Sequence, residues 1–242
     1  SMTNNKYSIS AIIPAYNEEQ GIKDVILCNT KTFQELDIDY EIIIIDDNSL
    51  DKTRDVAISL AGCYPNIKVF HHEKNLGSGE AFRTGIAHAT KDFVIFAPVD
   101  NPLEPEDLKA YLPRIDICDI VVGFRIERVG YSRFASFASF TYNRILVPLL
   151  FNIGVGDVNW IQVYRRSLFT ENVIVFNSKS LFWLVELLVC ARRKRLIIAE
   201  VPARMKKRVH GRPTCTRFTV MVRTFIEMIK YFLKIRREDK TS

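Results

Sequence analysis

The sequence predicts an α/β fold, an open and mostly parallel sheet with helices on both of its faces. Apolar runs of strand length alternate with segments of helical period through the first half of the chain, as successive βαβ units require. Several of these runs are continuously apolar, which is typical of strands buried on both faces. Two of them, 41–49 and 93–101, end abruptly in acidic residues. Because such sheets bind ligands beyond the carboxyl ends of their strands, the two acidic ends predict one shared site.

The predicted elements follow one another in a regular order. Strands are expected over residues 8–14, 40–45, 66–71, 92–97 and 119–123, and helices over residues 17–34, 51–60, 78–89 and 105–112. Asn17, followed three residues later by Gln20, predicts the start of the first helix as an N-cap.

The second half of the chain contains two amphipathic segments rich in phenylalanine and flanked by arginine. The first covers about 131–152, where Pro148 should break or kink the helix, and the second covers 216–237 and ends in basic residues. They predict one domain over residues 1–215 with a helical insertion, followed by a basic amphipathic helix over residues 216–242. Core packing is one explanation of such faces, and contact with a membrane surface is the favoured one.

Composition and charge narrow the class of protein. With 242 residues, 48% of them hydrophobic, the chain can bury a full core, which excludes a disordered or fibrous protein. Residues 1–118 hold 11 basic and 19 acidic residues, whereas residues 119–242 hold 23 and 9. The basic half indicates an anionic partner, with a merely solvated face as the alternative. A nucleic acid is a further alternative that only this charge suggests, and none is expected as a partner.

Cysteine use and hydropathy predict the compartment. Five scattered cysteines without metal-ligand spacing favour reduced thiols and a cytoplasmic protein. Neither a signal peptide nor an apolar stretch long enough to span a bilayer is expected.

Three motifs carry the candidate chemistry. Residues 14–18 close the first strand and residues 46–53 close the second, where carboxylates can accept hydrogen bonds from a nucleotide. The Asp46-Asp47 pair has a helix-capping turn as its alternative explanation. Residues 75–85 form a glycine-rich loop at a helix start, which favours phosphate because glycine permits close backbone approach and the first N–H groups of a helix are free to donate.

In this order, PAYNEE, IIIIDDNSLDKT, NLGSGEAFRTGIAHATKDFVIF and GDVNWIQVYRRSLF resemble glycosyltransferase family 2, whose members have the A-type glycosyltransferase fold, a Rossmann-like nucleotide-diphospho-sugar transferase sheet. Residues 200–204 and 208–214 look like the closing segment of the branch that contains dolichyl-phosphate mannose synthases and bacterial polyprenyl-phosphate glycosyltransferases. The resemblance implies an inverting enzyme of cell-envelope glycan biosynthesis, peripheral on the inner face of the membrane. It would transfer a sugar from a nucleotide diphosphate to a polyprenyl phosphate.

The resemblance also implies the site residues. The nucleotide sugar is expected to contact Pro14, Tyr16, Glu18, Asp46, Asp47, Asn48, Gly77, Gly79 and Arg83. The catalytic residues would be Asp100, which would bind Mg²⁺ or Mn²⁺, together with Arg125 and Asp157, and a structural helix cap is the alternative role of Asp157. The acceptor phosphate would be held by Arg125, Arg208 and Arg212.

The sequence departs from the family pattern at three places. Pro98 replaces the first acid of the usual strand-end pair, Ser78 stands where a lysine is frequent, and the usual Gly-Phe-Arg is replaced by residues 160–162. Two alternatives therefore stay open. One is a transferase acting on a glycan hydroxyl with Asp157 as general base, and the other is a non-catalytic nucleotide-sugar or lipid-binding protein. Apolar helices that pair with each other would also give a homo-oligomer.

Overall fold

The structure, a computed structural model, describes residues 6–126, 140–204 and 218–241. A seven-stranded sheet runs through it in the order β3-β2-β1-β4-β6-β5-β7. Its strands are β1 (Ser8–Ala15), β2 (Asp39–Asp46), β3 (Ile67–His71), β4 (Phe93–Phe96), β5 (Ile120–Arg125), β6 (Gln162–Arg165) and β7 (Ile198–Ala203). Strand β6 is antiparallel to both of its neighbours, and the other described pairs are parallel. The mostly parallel sheet predicted from the sequence is confirmed.

Helices cover both faces of this sheet. They are α1 (Ile22–Glu35), α2 (Thr53–Ala61), α3 (Ser78–His88), α4 (Pro105–Ile115), α5 (Val147–Phe151), α6 (Ser167–Thr170), α7 (Trp183–Arg193) and α8 (Phe218–Thr241), with a π-helical turn over Tyr142–Leu146. No helix in the described ranges combines the length and the apolar composition needed to cross a bilayer.

Strand β2 shows why the continuous apolar runs become central strands. Ile42 and Ile44 lie in the core cluster on one face of the sheet, whereas Ile43 and Ile45 lie in the cluster on the other face. All four are fully buried. Because each buried isoleucine contributes about 1.5–3 kcal/mol, a strand with apolar residues on both faces is stable only between two helical layers.

The predicted start of the first helix is wrong. Helix α1 begins at Ile22, and Asn17 lies before it in a left-handed conformation with φ of 55°. The side-chain Oδ1 of Asn17 accepts the backbone N–H of Leu50 at 2.8 Å. Asn17 therefore joins the loop after β1 to the loop after β2 instead of capping a helix.

The described part of the helical insertion continues as a helix through Pro148, which it meets directly after a π-helical turn. The π-helical turn Tyr142–Leu146 leads directly into α5, where Pro148 is the second residue. Proline has no N–H to donate to the preceding turn, so a regular helical ladder cannot pass through this position. The insertion ends at Asn152, which is left-handed with φ of 47°. Residues 131–139 of the predicted segment lie outside the described residues.

Helix α8 packs against the domain. Met228 and Ile235 are buried in the same core cluster as α7, and the rings of Tyr231 and Phe232 contact Phe151 at centroid distances of 6.1 and 6.0 Å. The predicted domain boundary near residue 215 falls outside the described residues, so the division at that point stays a prediction.

Candidate active site

The acidic residues predicted at strand ends meet at one edge of the sheet. Ala15 pairs with Asp46, and Asp46 pairs with His71, so β1, β2 and β3 end level with one another. Strand β4 runs beside β1 in the same direction, with Phe96 opposite Ile12. The ends of β1, β2 and β4 and the loops that follow them therefore lie at the carboxyl edge of the sheet. They contain the predicted nucleotide-sugar residues Pro14, Tyr16, Glu18, Asp46, Asp47 and Asn48 and the predicted metal ligand Asp100.

The loops after β1 and β2 brace each other. The N–H of Asn17 donates to Ser49 Oγ at 3.0 Å, and the N–H of Glu18 donates to Thr53 Oγ1 at 2.7 Å. Pro14, Tyr16 and Glu18 are each half-buried at this junction, and Asn48 is left-handed with φ of 63°. The structure thus brings the predicted nucleotide residues of both loops together.

Asp46 and Asp47, at the carboxyl edge of the sheet, accept hydrogen bonds from different segments of the chain. Asp46 Oδ1 accepts the N–H of Ser49 at 3.2 Å, which closes the turn after β2. Asp47 accepts the N–H groups of Leu76 and Gly77, both at 2.8 Å, and lies 2.7 Å from Nδ1 of His72. Asp47 therefore holds the glycine-rich loop against the end of β2.

The two loop glycines leave room for another part of the chain. A Cβ atom on Gly77, which has φ of 95°, would lie 2.4 Å from the carbonyl oxygen of Lys179, and one on Gly79 would lie 2.0 Å from that of Ser178. The N–H of Gly79 donates to Lys179 O at 3.1 Å. The predicted close backbone approach to the glycines is therefore observed, and the group that approaches them is the backbone of residues 178–179.

Arg83 braces the same crossing segment. Its Nη1 donates to the carbonyl oxygen of Phe176 at 2.8 Å, its guanidinium lies 5.1 Å from the centroid of the Phe176 ring, and it forms an ion pair with Glu80. The contact of Arg83 with the nucleotide sugar stays a prediction. The structure adds that Arg83 binds Phe176 and Glu80, two partners that the sequence did not reveal.

Lys179 is the residue of this site that sequence reasoning missed. Its side chain is exposed, and its Cβ would lie 3.3 Å from a Cβ on Gly77. The hydrogen bond from Arg83 lowers the pKa of Glu80 most, and the charge of Lys179 lowers it further. A positive side chain thus lies beside the loop in which Ser78 stands where a lysine is frequent. The paired glycines signal a close neighbour, but nothing local identifies a segment 100 residues away.

Asp100 is exposed in the turn that follows β4. Among the described residues, no group of three or more histidine, cysteine, aspartate or glutamate side chains could hold a metal ion. One carboxylate nevertheless fits a metal that arrives with its substrate, because Mg²⁺ is usually bound by one or two carboxylates together with phosphate oxygens. The single carboxylate of Asp100 is therefore suited to bind a metal ion that is also coordinated by the diphosphate of the substrate.

The other two predicted catalytic residues form a buried ion pair. Nε of Arg125 donates to Asp157 Oδ2 at 2.5 Å, and Nη2 donates to Oδ1 at 2.8 Å. The two side chains are only 3% and 1% exposed, and the Arg125 guanidinium lies 4.8 Å from the centroid of the Trp160 ring. The acceptor role of Arg125 stays a prediction, and its charge is matched by Asp157. Arg208 and Arg212 lie outside the described residues.

The strand order, the single reversed strand and the loops gathered at the carboxyl edge define the A-type glycosyltransferase fold. A solved structure with this fold, glucosyl-3-phosphoglycerate synthase from Mycobacterium tuberculosis with Mn²⁺, UDP and glucosyl-3-phosphoglycerate, is 24% identical with a TM-score of 0.65, covering 86% of this chain and 73% of that one. The fragment 1–349 of S. aureus TarS is 20% identical with a TM-score of 0.56, covering 83% and 58%.

The sequence comparisons identify the family. The model described as Glycosyl transferase family 2 matches residues 10–172, and the chain belongs to this family. A dolichyl-phosphate beta-glucosyltransferase of Trichomonas vaginalis is 29% identical over 213 residues, which are 80% of this chain. The alignment covers 64% of that relative's length. The predictions of the fold and of the family are confirmed.

Proposed function

We propose that this protein is an inverting glycosyltransferase that moves a sugar from a nucleotide diphosphate to a polyprenyl phosphate of the dolichyl or undecaprenyl type. Membership of family 2 supports sugar transfer, and the similarity to a dolichyl-phosphate glucosyltransferase supports the lipid phosphate acceptor. A cytoplasmic location on the inner membrane face belongs to the same proposal.

The observation that supports a phosphate acceptor is the hydrogen bonding of the Asp157 carboxylate. A sugar hydroxyl must lose a proton as it attacks, so a glycan acceptor needs a general base. Asp157 is the candidate for that base, but both of its carboxylate oxygens accept hydrogen bonds from Arg125 in a buried pair. A phosphate oxygen is already anionic at neutral pH and attacks without a base. The engaged carboxylate therefore favours a phosphate acceptor over a glycan hydroxyl.

On the donor side, the braced loops after β1 and β2 provide carboxylates and backbone groups for the base and the ribose. Lys179, beside the glycine-rich loop, provides a cation for the diphosphate. Asp100 would hold Mg²⁺ or Mn²⁺, and the bound metal would stabilise the negative charge of the departing nucleoside diphosphate. Attack from the side opposite the leaving group inverts the anomeric carbon.

Exposed apolar side chains support peripheral contact with an anionic membrane. They are Phe140, Ile145 and Leu149 on the insertion and Met221, Val222, Phe225, Ile226 and Leu233 on α8. Six exposed basic residues lie on the same helix, namely Arg223, Lys230, Lys234, Arg236, Arg237 and Lys240. An apolar face with basic neighbours is what a helix lying in the surface of an anionic bilayer requires. A homo-oligomer would use the same faces.

The test is a transfer assay with a panel of nucleotide sugars, Mg²⁺ or Mn²⁺, and either a short-chain polyprenyl phosphate or an oligosaccharide acceptor. We expect a lipid-linked monosaccharide with one donor. Transfer to the oligosaccharide alone would support the glycan alternative. Nucleotide binding without transfer to either acceptor, and without donor hydrolysis, would support the non-catalytic alternative.

Lys179→Met tests the donor side separately from turnover. We expect its Kd for the preferred nucleoside diphosphate to rise about tenfold, because a charge-assisted contact is lost. Binding of the corresponding nucleoside, which has no phosphate, should be unchanged. Lys109→Met, at an exposed position on α4, is the matched control. An equal loss of affinity for the nucleoside and the diphosphate would contradict the assignment.

A further inference from the structure

A cavity of about 610 Å³ opens between the helical insertion and the adjacent ends of β5 and β7. Phe124 of β5 and Pro202 of β7 are direct neighbours in the strand register and form one wall. Pro148 and Val155 line it from the insertion and the segment that follows. None of the donor-site residues described above lines it. The cavity therefore needs an explanation of its own.

The cavity contains a positively charged side chain with an accessible head group. The guanidinium of Arg144 lies 5.4 Å from the centroid of the Phe124 ring, and Arg144 is exposed. Gly156 makes space for this arrangement, because a Cβ atom there would lie 3.0 Å from the Phe124 ring and 3.4 Å from Nη1 of Arg144. Within the described ranges, no carboxylate forms an ion pair with Arg144. Glu200, the acid in the described lining, accepts the N–H of Gly156 at 2.7 Å.

Arg144 and Arg125 differ in the property that matters for an anionic ligand. Arg125 is buried, with its side chain 3% exposed, and two of its N–H donors already bind the carboxylate of Asp157. Arg144 is accessible and stacked on an aromatic ring, which orients its planar donors. A guanidinium of this kind binds phosphate oxygens in pairs.

The chemistry of the walls identifies an amphiphile as the ligand. A small polar anion would use Arg144 and leave the wall of Phe124 and Pro202 without a partner. A neutral hydrocarbon would fill the apolar wall and desolvate the cation without compensation. Ile145 and Leu149, the residues that follow Arg144 and Pro148, are 49% and 78% exposed. The same segment thus lines the cavity and presents apolar surface from which a lipid can enter.

We propose that this cavity is the acceptor site, in which Arg144 binds the phosphate of the polyprenyl phosphate and the wall of Phe124 and Pro202 contacts its first isoprene units. This inference rests on the proposed function and adds the place and the residue that recognise the acceptor. It moves the phosphate-binding role from Arg125 to Arg144.

The test measures binding without turnover. Farnesyl phosphate is titrated into the full chain, Arg144→Met and Arg144→Lys by isothermal calorimetry, with farnesol and inorganic phosphate as partial ligands. Losing a charge-assisted contact should raise the Kd of Arg144→Met for farnesyl phosphate about 10- to 100-fold. Arg144→Lys should recover part of the loss, and farnesol binding should not change. Arg114→Met, at an exposed position on α4, is the matched control and should bind as the unmodified chain does.

A second variant gives an independent result. Gly156→Ala should also weaken farnesyl phosphate binding, because its methyl group crowds Phe124 and Arg144. Kd values within twofold of the unmodified chain for both Arg144→Met and Gly156→Ala would overturn the proposal. An increase in the KM of the donor without a change for the acceptor would also overturn it, since the cavity would then belong to the donor.

The two proposals fail in different ways. If the chain binds farnesyl phosphate through Arg144 but transfers no sugar to it, the proposed function is wrong and the site remains. If it transfers sugar and Arg144→Met leaves the KM for farnesyl phosphate unchanged, the site is wrong and the proposed function remains. No binding of farnesyl phosphate by the unmodified chain overturns the site.

Discussion

The buried pair of Arg125 and Asp157 allows a quantitative prediction about stability. Substituting Arg125→Met removes one charge and leaves the other, with its side chain 1% exposed, without its bidentate partner. Breaking a buried ion pair in this way costs about 3–5 kcal/mol, mostly because the remaining charge is desolvated. At about 2–4 °C per kcal/mol for a chain of this size, the midpoint of thermal unfolding should fall by roughly 10 °C.

The double variant Arg125→Met/Asp157→Leu separates the charge effect from packing. It removes both charges, so its Tm should lie above that of the single variant and close to that of the unmodified chain. Lys91→Met is the control, because it breaks a surface pair of similar length, 2.6 Å from Lys91 to Asp39, with side chains 23% and 50% exposed. That substitution should cost no more than about 1 kcal/mol.

Circular dichroism during thermal unfolding at neutral pH measures all four proteins. A decrease of less than about 2 °C for Arg125→Met, or a double variant less stable than the single one, would refute the reasoning from burial. The double variant also tests function. It should retain transfer to a polyprenyl phosphate if Asp157 is not a base, and complete loss of transfer with a normal Tm would show that one of the two residues takes part in the reaction.

Three further predictions address packing, pH dependence and membrane contact. Gly79→Ala should destabilise the fold by about 1–3 kcal/mol in urea titrations, because its methyl group would lie 2.0 Å from a backbone carbonyl, whereas Gly62→Ala, with 3.4 Å available, should be tolerated. Burial opposes ionisation of Glu41, but hydrogen bonds from a lysine, a serine and a threonine prevail and lower its pKa to about 2. The ionised Glu41 should therefore stabilise the folded chain fully above pH 4.5, the ordinary pKa of a glutamate, and this stabilisation should be lost as the pH falls towards 2. In Glu41→Gln, the free energy of unfolding should change less with pH over this range. Phe225→Glu should reduce co-sedimentation with anionic vesicles about tenfold, while Ile58→Glu, on α2 and 49% exposed, should not.

The first five strands could be predicted because each is encoded by the apolar pattern of its own residues. A run such as residues 41–46 carries apolar side chains towards both faces, and no distant contact is needed to recognise it. The acids at strand ends were predictable for the same reason, because each follows directly on its own apolar run and the carboxyl ends of parallel strands lie at one edge of a sheet. The predicted bounds of these strands differ from the observed ones by one or two residues, which reflects how strand ends depend on the neighbouring strand.

Strands β6 and β7 could not be predicted in this way. Strand β6 has only four residues, and two of them, Gln162 and Arg165, are polar, so the sequence contains no apolar run at this place. The strand is recognised only by its pairing with β4 and β5, which are distant in the sequence. The side chain of Gln162 is buried and donates to the carbonyl oxygen of Val158 at 2.8 Å. Its polarity is satisfied by this carbonyl, four residues earlier, and by the hydroxyl group of Tyr164, which donates to Oε1 of Gln162. The pairing of Arg125 with Asp157 is hidden in the sequence because, like the pairing of β6 with β4 and β5, it joins distant positions, here 32 residues apart.

A chain of hydrogen bonds between α8 and the glycine-rich loop of the proposed donor site is also invisible in the sequence. Glu227 of α8 accepts hydrogen bonds from the N–H and the hydroxyl group of Ser180, at 3.0 and 2.6 Å. The adjacent carbonyl of Lys179 accepts the N–H of Gly79, and Asp47 holds the other end of the same glycine-rich loop. A helix joined to the loop by consecutive hydrogen bonds helps to fix the position of Lys179, the residue proposed to bind the diphosphate. The contacts therefore connect α8 to the glycine-rich loop of the proposed donor site, in addition to the apolar surface that the helix exposes.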